Sequence, residues 1–586
     1  MSNENQRVIP TPKPNDLSTF AIKLGGSDMK PEYKVTSIDI GKVYNKISYA
    51  RITLSDGDPA SQKFAISDTD DFKPGQEIEI QLGYHGENET VFKGLIIGHG
   101  VRIRNNKGNF LLIEARDKAI KLTGARKSAY FYEQKDSEII EQLASGAGLQ
   151  TDVEATGVKH KEMVQYHVSD WDFLLARAEA CGLLVLTDDG KLIAKKADTS
   201  GEIALQLEFG ATMLEFEATM DAETQVKAIK SKTWNFSDQE LVETEGSNPS
   251  VTGNGNLDSD ALAEVMGVDP LPLLHPGKFE EQELKDWIDA RTVRHKLARI
   301  CGHTRFQGLG SMKPGQMIDL KGVGDRFNGK AFVTGVRHQV NGTNWTTDLQ
   351  FGFSERGFAE QFELADRKAS GMLPGVNGLH VGLVTKLGSD PDGEDRIQVK
   401  MPLLDNAAEG IWARVSTPDG GNKRGIFFRP EVGDEVLLGF LNDDPRQPVV
   451  LGMLNSKKLP APITSENDDN HIKGIYTRSE MKFFFDDDKK IITLETPGKQ
   501  TVVIDDDKGA ITLTDKTGNI IEMSDKGITF TSKKDIILDA ASGDIKMSAT
   551  NIKAEASAQL TAKGSAGAEV SAGGNMVVKG AMVQIN

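Results

Sequence analysis

Apolar and polar positions alternate with a period of two over most of this chain, and the alternation changes character along it. From about residue 17 to 125 it forms strand-length runs bounded by turn residues. In "FKPGQEIEIQLGYHGENETVFKGLI" a Lys73-Pro74-Gly75 turn precedes Ile78, Ile80 and Leu82, which alternate with polar residues as on a half-buried strand. "MKPGQMIDLKGVGDRFNGKAFVTGV" repeats the device, with Lys313-Pro314-Gly315-Gln316 ahead of Ile318 and Leu320. In both stretches an aromatic stands two positions before a glycine, Phe92 with Gly94 and Phe327 with Gly329. The blander alternative is a chance match of two turns and strands. The repeat predicts an internal duplication, with two related β-barrels at about 17–125 and 200–365.

Between the two stretches the period lengthens to that of helices. In "DSEIIEQLASGAGL" Ile139, Ile140 and Leu143 share a stripe, and Gly146 is the expected stop. In "SDWDFLLARAEACGLLVL" Ser169 is the expected N-cap, with Asp172 three residues on. Trp171, Leu174, Leu175 and Ala178 share one face of that helix, and Gly182 suits its C-terminal cap. A third helix at about 280–300 carries Leu284, Trp287, Ile288 and Val293, with Arg and Lys near its end to complement the helix dipole. Together these elements predict a hub domain over residues 17–370, preceded by a short arm of residues 1–16.

After the linker-like "DRKASGMLPGVNG", five strand-like runs follow in residues 379–452. They include "RIQVKMPLLD", "GIWARVSTPDGG" and "FRPEVGDEVLLGFLNDDPRQPVVLG", and they suit a small closed barrel over 376–455. A second linker, 456–471, leads into the last region, 472–586.

There the pattern reduces to pairs. Phe483/Phe485, Ile492/Leu494, Val502/Ile504, Ile511/Leu513, Ile521/Met523, Ile528/Phe530, Ile536/Leu538 and Ile545/Met547 recur about every eight residues, and the beat continues to Met576/Val578 and Val583/Ile585. One chain with two apolar residues per strand buries too little area to offset its ordering entropy. Three chains around one axis would share a core and pair one another's edges, with Gly, Asp-Lys and Ser-Gly as the turns. A single-chain solenoid is the alternative, although solenoids usually offer a fuller inner face per coil. Read alone, "AEASAQLTAKGSAGAEVSAGG" would pass for a flexible linker.

Composition narrows the function. A length of 586 residues implies three to five domains. The net charge of −17 argues against nucleic acid as the partner. Cys181 and Cys301 are the only cysteines, with nothing to indicate pairing, and Cys181 falls in an apolar helical pattern as a buried thiol. The N-terminus lacks the layout of a Sec signal, and no apolar run approaches membrane-spanning length. His160 and His167 suit surface or packing roles, and no HExxH, GxSxG, Walker A or dinucleotide fingerprint occurs. Asp486-Asp487-Asp488 and Asp505-Asp506-Asp507 could bind a cation in turns or serve as solvated corners. No catalytic, cofactor-binding or metal-binding residue is expected.

Three motifs carry a family resemblance: Asp170-Trp171-Asp172-Phe173-Leu174-Leu175-x-Arg177-Ala178, Pro430-Glu431-Val432-Gly433-Asp434-Glu435-Val436, and Asp443-Asp444-Pro445-Arg446-Gln447-Pro448-Val449-Val450-x-Gly452. Through them, and over nearly its whole length, the chain resembles the VgrG spike proteins of type VI secretion and related contractile injection systems. These in turn are similar to the hub and needle of contractile phage tails. The resemblance implies a mainly β homotrimer with a hub of two related β-barrels and connecting helices. It also implies an OB-fold collar and a C-terminal triple-stranded, intertwined β-helix needle. Asp170, Trp171, Phe173 and Arg177 would mark the hub. Pro430, Gly433, Asp434, Glu435, Val436, Pro445, Pro448 and Gly452 would mark the collar. Ile511, Leu513, Ile521, Met523, Ile528, Phe530, Ile536, Leu538, Ile545 and Met547 would fill the needle core.

The resemblance also supplies partners. Tail-tube and baseplate proteins would meet the hub, and a tip protein of PAAR type would dock on Met576, Val578, Met582, Val583, Ile585 and Asn586. Effectors could ride on the spike, and the target membrane would be punctured rather than stably bound. The linker 456–471 leaves no room for the lysozyme domain of some phage relatives, and the chain stops at Asn586, so a non-enzymatic spike is expected. It would be made in the bacterial cytoplasm, assembled into the particle, and delivered on contraction. The alternatives are a trimeric fibre or adhesin that binds a surface glycan, and a peptidoglycan-degrading tail protein.

Overall fold

The computed structural model describes residues 17–105, 108–404, 407, 409–464 and 468–585; the expected arm, 1–16, lies outside them. The chain divides into two units, Met1–Pro374 and Gly375–Asn586. Strands hold 41% of it against 12% for helices.

The first unit is built on a 13-stranded sheet. Its path runs Met213–Met220, Ile300–Gln307, Asn344–Phe351, Gly329–Asn341, Val35–Val43, Tyr49–Ser55, Gly108–Arg116, Glu87–Arg104, Glu77–Tyr84 and Ser18–Leu24, with the short Ser27–Asp28 at that end. Ile203–Glu208 joins through Met317–Lys321. A cut between Gly329–Asn341 and Val35–Val43 leaves two six-stranded arrays in the same order, the first with the short Ser27–Asp28 added at its end. They differ at one edge: Ser18–Leu24 is antiparallel to its neighbour, whereas Ile203–Glu208 is parallel to its own. Each array wraps its own core, Ile40, Ile52, Leu54, Phe92 and Ile113 in the first and Ile318, Leu320, Val333, Leu349 and Phe351 in the second.

The repeated Lys-Pro-Gly-Gln turns have one geometry. Gly75 and Gly315 lie at φ +95° and +94°, a region that a Cβ disfavours. Gly75 N–H donates to Ile96 O and Ile96 N–H to Gln76 O, at 2.8 and 2.9 Å. Gly315 and Val333 do the same at 2.8 Å, and Val333 and Gln316 at 2.9 Å. These bonds set Ile78 opposite Gly94 and Ile318 opposite Ala331. The aromatic-and-glycine match is therefore out of register by two residues. Gly329, opposite Leu320, takes the place of Phe92, opposite Ile80. The cause is the short Met317–Lys321 strand, after which Phe327 lies in the loop that returns the chain.

The helices pack mainly on smaller sheets of this unit, such as Leu183–Asp188 with Lys191–Lys196 and Gln150–Val153, and Ile229–Asn235 with its neighbours. Asp136–Gly146 runs through Gly146, and the left-handed residue is Gly148, not Gly146, at φ +80°. Leu149 N–H there closes back on Ala144 O at 3.1 Å, which needs the positive φ one residue earlier. In Asp170–Ala180, Asp172 N–H donates to Ser169 Oγ at 3.1 Å, and Gly182 follows at φ +75°. Trp171, Leu174, Leu175 and Ala178 pack with Leu122, Ile140 and Leu183. Glu281–Ala298 buries Leu284 and Ile288, the latter against Ile229 and Leu273.

In the second unit His380–Lys386, Ile397–Lys400, Ile411–Val415, Pro448–Met453 and Glu435–Phe440 close a five-stranded barrel. Its core is Val384, Ile397, Val399, Ala413, Val436, Leu438 and Val450. Then comes a seven-stranded antiparallel meander: Ile472–Tyr476, Lys482–Asp486, Ile491–Glu495, Thr501–Asp505, Ala510–Thr514, Ile520–Ser524 and Gly527–Thr531. Up to Thr531 the strands thus pair with their own chain neighbours, because tight turns such as 506–509 return the chain at once. From 532 to 585 no strand pairing occurs within one chain.

Candidate assembly surfaces

The meander aligns the apolar pairs. Residues at i and i+2 share a face, and antiparallel partners lie side by side on it. One ladder runs Ile475, Phe483, Leu494, Val502, Leu513, Ile521, Phe530. The other runs Phe485, Ile492, Ile504, Ile511, Met523, Ile528 in the same registers. Between them on the reverse face stand Thr493, Val503, Thr512, Glu522 and Thr529. The apolar face is open: Leu513, Ile521, Met523, Ile528 and Phe530 are exposed, and Ile511 is half-buried. Leu494, Val502, Leu513, Ile521 and Phe530 line a groove of about 700 Å³ along it. Covering such a face yields about 1.5–3 kcal/mol per large side chain.

Beyond Thr531, the remaining expected core residues Ile536, Leu538, Ile545 and Met547 are exposed on unpaired chain. So are Met576, Val578, Met582, Val583 and Ile585; Asn586 lies outside the described residues. Asp486 and Asp505 turn back on their own turns, accepting the N–H of Lys489 and of Lys508, each at 3.0 Å.

The collar motif closes the small barrel. Gly433 at φ +95° donates its N–H to Val384 O at 2.8 Å, and Val384 N–H donates to Asp434 O at 3.0 Å. Asp434 Oδ2 accepts Glu431 N–H at 2.8 Å, which holds the turn before Glu435 and the buried Val436. Pro430 and Pro448 are buried. Pro445 sits in a turn where Arg446 Nη2 donates to Asp444 Oδ2 at 2.6 Å, and Gly452 pairs with Leu437 beside a bulge.

The hub motif anchors two helices. Asp170 accepts from Gln165 Nε2 at 3.0 Å and pairs with Lys127, and Phe173 stacks on Phe131 with centroids 5.8 Å apart. Arg177 reaches a group the sequence does not advertise. Its Nε donates to Asp136 Oδ1 at 2.6 Å and its Nη2 to Glu283 Oε1 at 3.3 Å. His160 Nε2 and the Cys181 thiol both donate to Asp136 Oδ2, at 2.8 and 3.2 Å. Burial would raise the Asp136 pKa, but the bonds from His160 and Arg177 prevail and hold it well below the usual carboxylate range. Burial, then the neighbouring Asp136, pushes the Cys181 thiol up, so it stays neutral. These five residues tie Asp136–Gly146 and Asp170–Ala180 to each other and to Glu281–Ala298. His167 is exposed and pairs with Asp366 at 2.8 Å.

Known proteins are similar to this chain in three blocks. Residues 14–342, more than half of the chain, match the family described as the Alg8 N-terminal domain. Residues 380–454 match the type VI secretion system/phage-baseplate injector OB domain. Residues 491–561 match the phage baseplate V C-terminal trimerisation domain. The type VI secretion system spike protein VgrG1b of Pseudomonas aeruginosa is 22% identical over 66% of this chain and 55% of its own length. VgrG1a of the same organism is 25% identical over 32% of this chain and 31% of its own length. The chain thus spans about half or less of these relatives. Among solved structures, the 43 kDa tail protein of prophage MuSo2 from Shewanella oneidensis is 12% identical, covering 58% of this chain and 99% of that one, with a TM-score of 0.43. A component of the E. coli type VI secretion system is 14% identical, covering 74% and 99%, with a TM-score of 0.37.

Proposed function

We propose that this chain, which belongs to the Alg8 N-terminal domain family and is a VgrG-type spike protein, acts without catalysis as the trimeric central spike of a contractile injection machine. The hub would sit on the tail tube and baseplate. The needle end would carry a PAAR-type tip protein, and effectors would travel with the spike. Sheath contraction would then drive tube and spike through a target membrane, with the spike passing the axial force. Assembly would take place in the bacterial cytoplasm and delivery outside it. Among the described residues no helix is long and apolar enough to cross a membrane.

The observation that carries this reading is the pair of apolar ladders, open to solvent in one copy and, from Ile492 onward, lying within the residues that match a trimerisation domain. A face of that size needs cover, and two further copies supply it. The test is absolute mass by light scattering on the full chain beside one ending at Gly452. The expected full-chain mass is about 191 kDa, three times 63.8 kDa, with a weaker trimer in the truncation. A monodisperse monomer with a folded tail would overturn the reading.

A further inference from the structure

In the first unit, Ile229–Asn235 stands between two edge strands, Glu240–Glu245 and Leu271–His275, and neither has a further strand partner among the described residues. The two edges are not alike. Leu271–His275 carries Pro272, which has no N–H and so blunts an edge. Glu240–Glu245 has no proline, and a groove of about 420 Å³ lies beside it. Thr233, Val242 and Thr244 line the groove from the sheet; Phe279, Leu284 and Lys285 line it from the start of the helix Glu281–Ala298.

Side chains of the open strand alternate between two faces. Leu241, Glu243 and Glu245 are exposed, whereas Val242 is half-buried and Thr244 buried. On the exposed face Lys230 pairs with Glu245 at 2.5 Å and Lys232 with Glu243 at 2.6 Å. Trp234 and Leu241 lie opposite each other there, 44% and 58% exposed. Each row thus runs from a cation to an anion, or from one apolar residue to another, and its next place is open.

We propose that this edge takes up an extended segment of another protein as a fourth strand, with basic residues beside Glu245 and Glu243 and an apolar one beside Leu241. The residues between them are apolar and enter the groove. Backbone pairing along the edge supplies affinity, and the alternation supplies selectivity. The pairing is antiparallel, the arrangement more stable per residue. A second copy of the same edge is the wrong occupant, because it would bring the glutamates of both together. The contact does not involve the apolar ladders of the tail, so it goes beyond the spike reading and stands apart from the number of copies.

The test titrates the full chain into a fluorescein-labelled, amidated peptide, Lys-Val-Lys-Val-Leu-Thr, and reads anisotropy. Saturable binding is expected. Successive N–H groups of a strand point to opposite edges. N-methylation of one alternate set of the peptide's amides should therefore abolish binding, and methylation of the other set should leave it nearly unchanged. Glu243→Lys with Glu245→Lys, both at exposed positions, should weaken binding about tenfold, and the peptide Glu-Val-Glu-Val-Leu-Thr should recover it on that variant. The variant's thermal transition and its mass by light scattering should match the parent's. Absence of saturable binding, or binding that survives both methylated sets, would overturn the proposal. A fall in the variant's mass would show that another copy fills this edge, which overturns the separate partner.

Discussion

Arg177 Nε donates to the buried Asp136 Oδ1 at 2.6 Å, tying the last turn of one helix to the first turn of another. The hub's two connecting helices are thereby fixed to each other by charge as well as by packing.

Arg177→Ala leaves that carboxylate buried without its guanidinium and should destabilise the hub by about 3–5 kcal/mol. Arg177→Lys should recover part of this, since a lysine keeps the charge but not the two-pronged geometry. Denaturant unfolding of the variants measures both. Asp136 is held below its unfolded value of 3.8, so its contribution is complete above about pH 4 and is lost as pH falls through the folded value. Equal midpoints for the variant and the parent at pH 7 would contradict the assignment.

Cys181 should resist alkylation at pH 8. Burial, with Asp136 beside it, keeps it protonated, and its sulfur is enclosed by the helix pair. Mass spectrometry after iodoacetamide treatment should show label at Cys181 only when the hub unfolds. Labelling of the native protein at the rate of a free thiol would show that the pocket opens.

His338 should make the hub acid-sensitive earlier than its carboxylates do. Burial, with Lys42 nearby, pushes its pKa down to about 3 from 6.5. Between those values the unfolded chain binds a proton that the folded one refuses, so stability is complete above about pH 6.5 and falls with acid by up to about 1.4 kcal/mol per pH unit. His338→Val removes the imidazole and leaves an apolar side chain at a position only 4% exposed. Urea midpoints at pH 7 and pH 5 should differ less in that variant than in the parent.

Leu513→Asp places a charge in one apolar ladder and should reduce the full-chain mass toward that of one copy, with the hub's thermal transition unchanged. Thr512→Asp, on the reverse face of the same strand, should leave the mass intact. Light scattering of the two variants side by side separates a face-specific effect from general loss of strand structure.

Deletion of residues 580–586 should abolish binding of the tip protein while the trimer persists. Pull-down with the tip protein and a mass measurement on the same sample test this. Retention of the tip by the shortened spike would move its docking surface elsewhere.

The helix boundaries, the Ser169 cap and the duplicated turns were legible because each depends on neighbours within a few residues. Ser169 caps because its hydroxyl meets the N–H three positions on, and Gly75 and Gly315 turn because only glycine takes their φ without cost. The aromatic-and-glycine match misled because two residues of strand length separate the hairpins, and strand length depends on pairing. The cluster around Asp136 left no mark, since Asp136, His160, the Arg177/Cys181 pair and Glu283 come from separate stretches of the chain and each has an ordinary local pattern.

By itself, the sequence determined which residues turn, which alternate, and that a tail with two apolar residues per strand cannot supply its own core. Those are local properties and sums over area. Only the tertiary structure decided which edges pair. It joined the arrays through Val35–Val43 and Gly329–Asn341, left one side each of residues 98–104 and Met213–Met220 without a strand partner among the described residues, and drew Asp136 and Arg177 together. Backbone pairing and burial of charge depend on partners brought from distant parts of the chain, and no local pattern encodes which partner arrives.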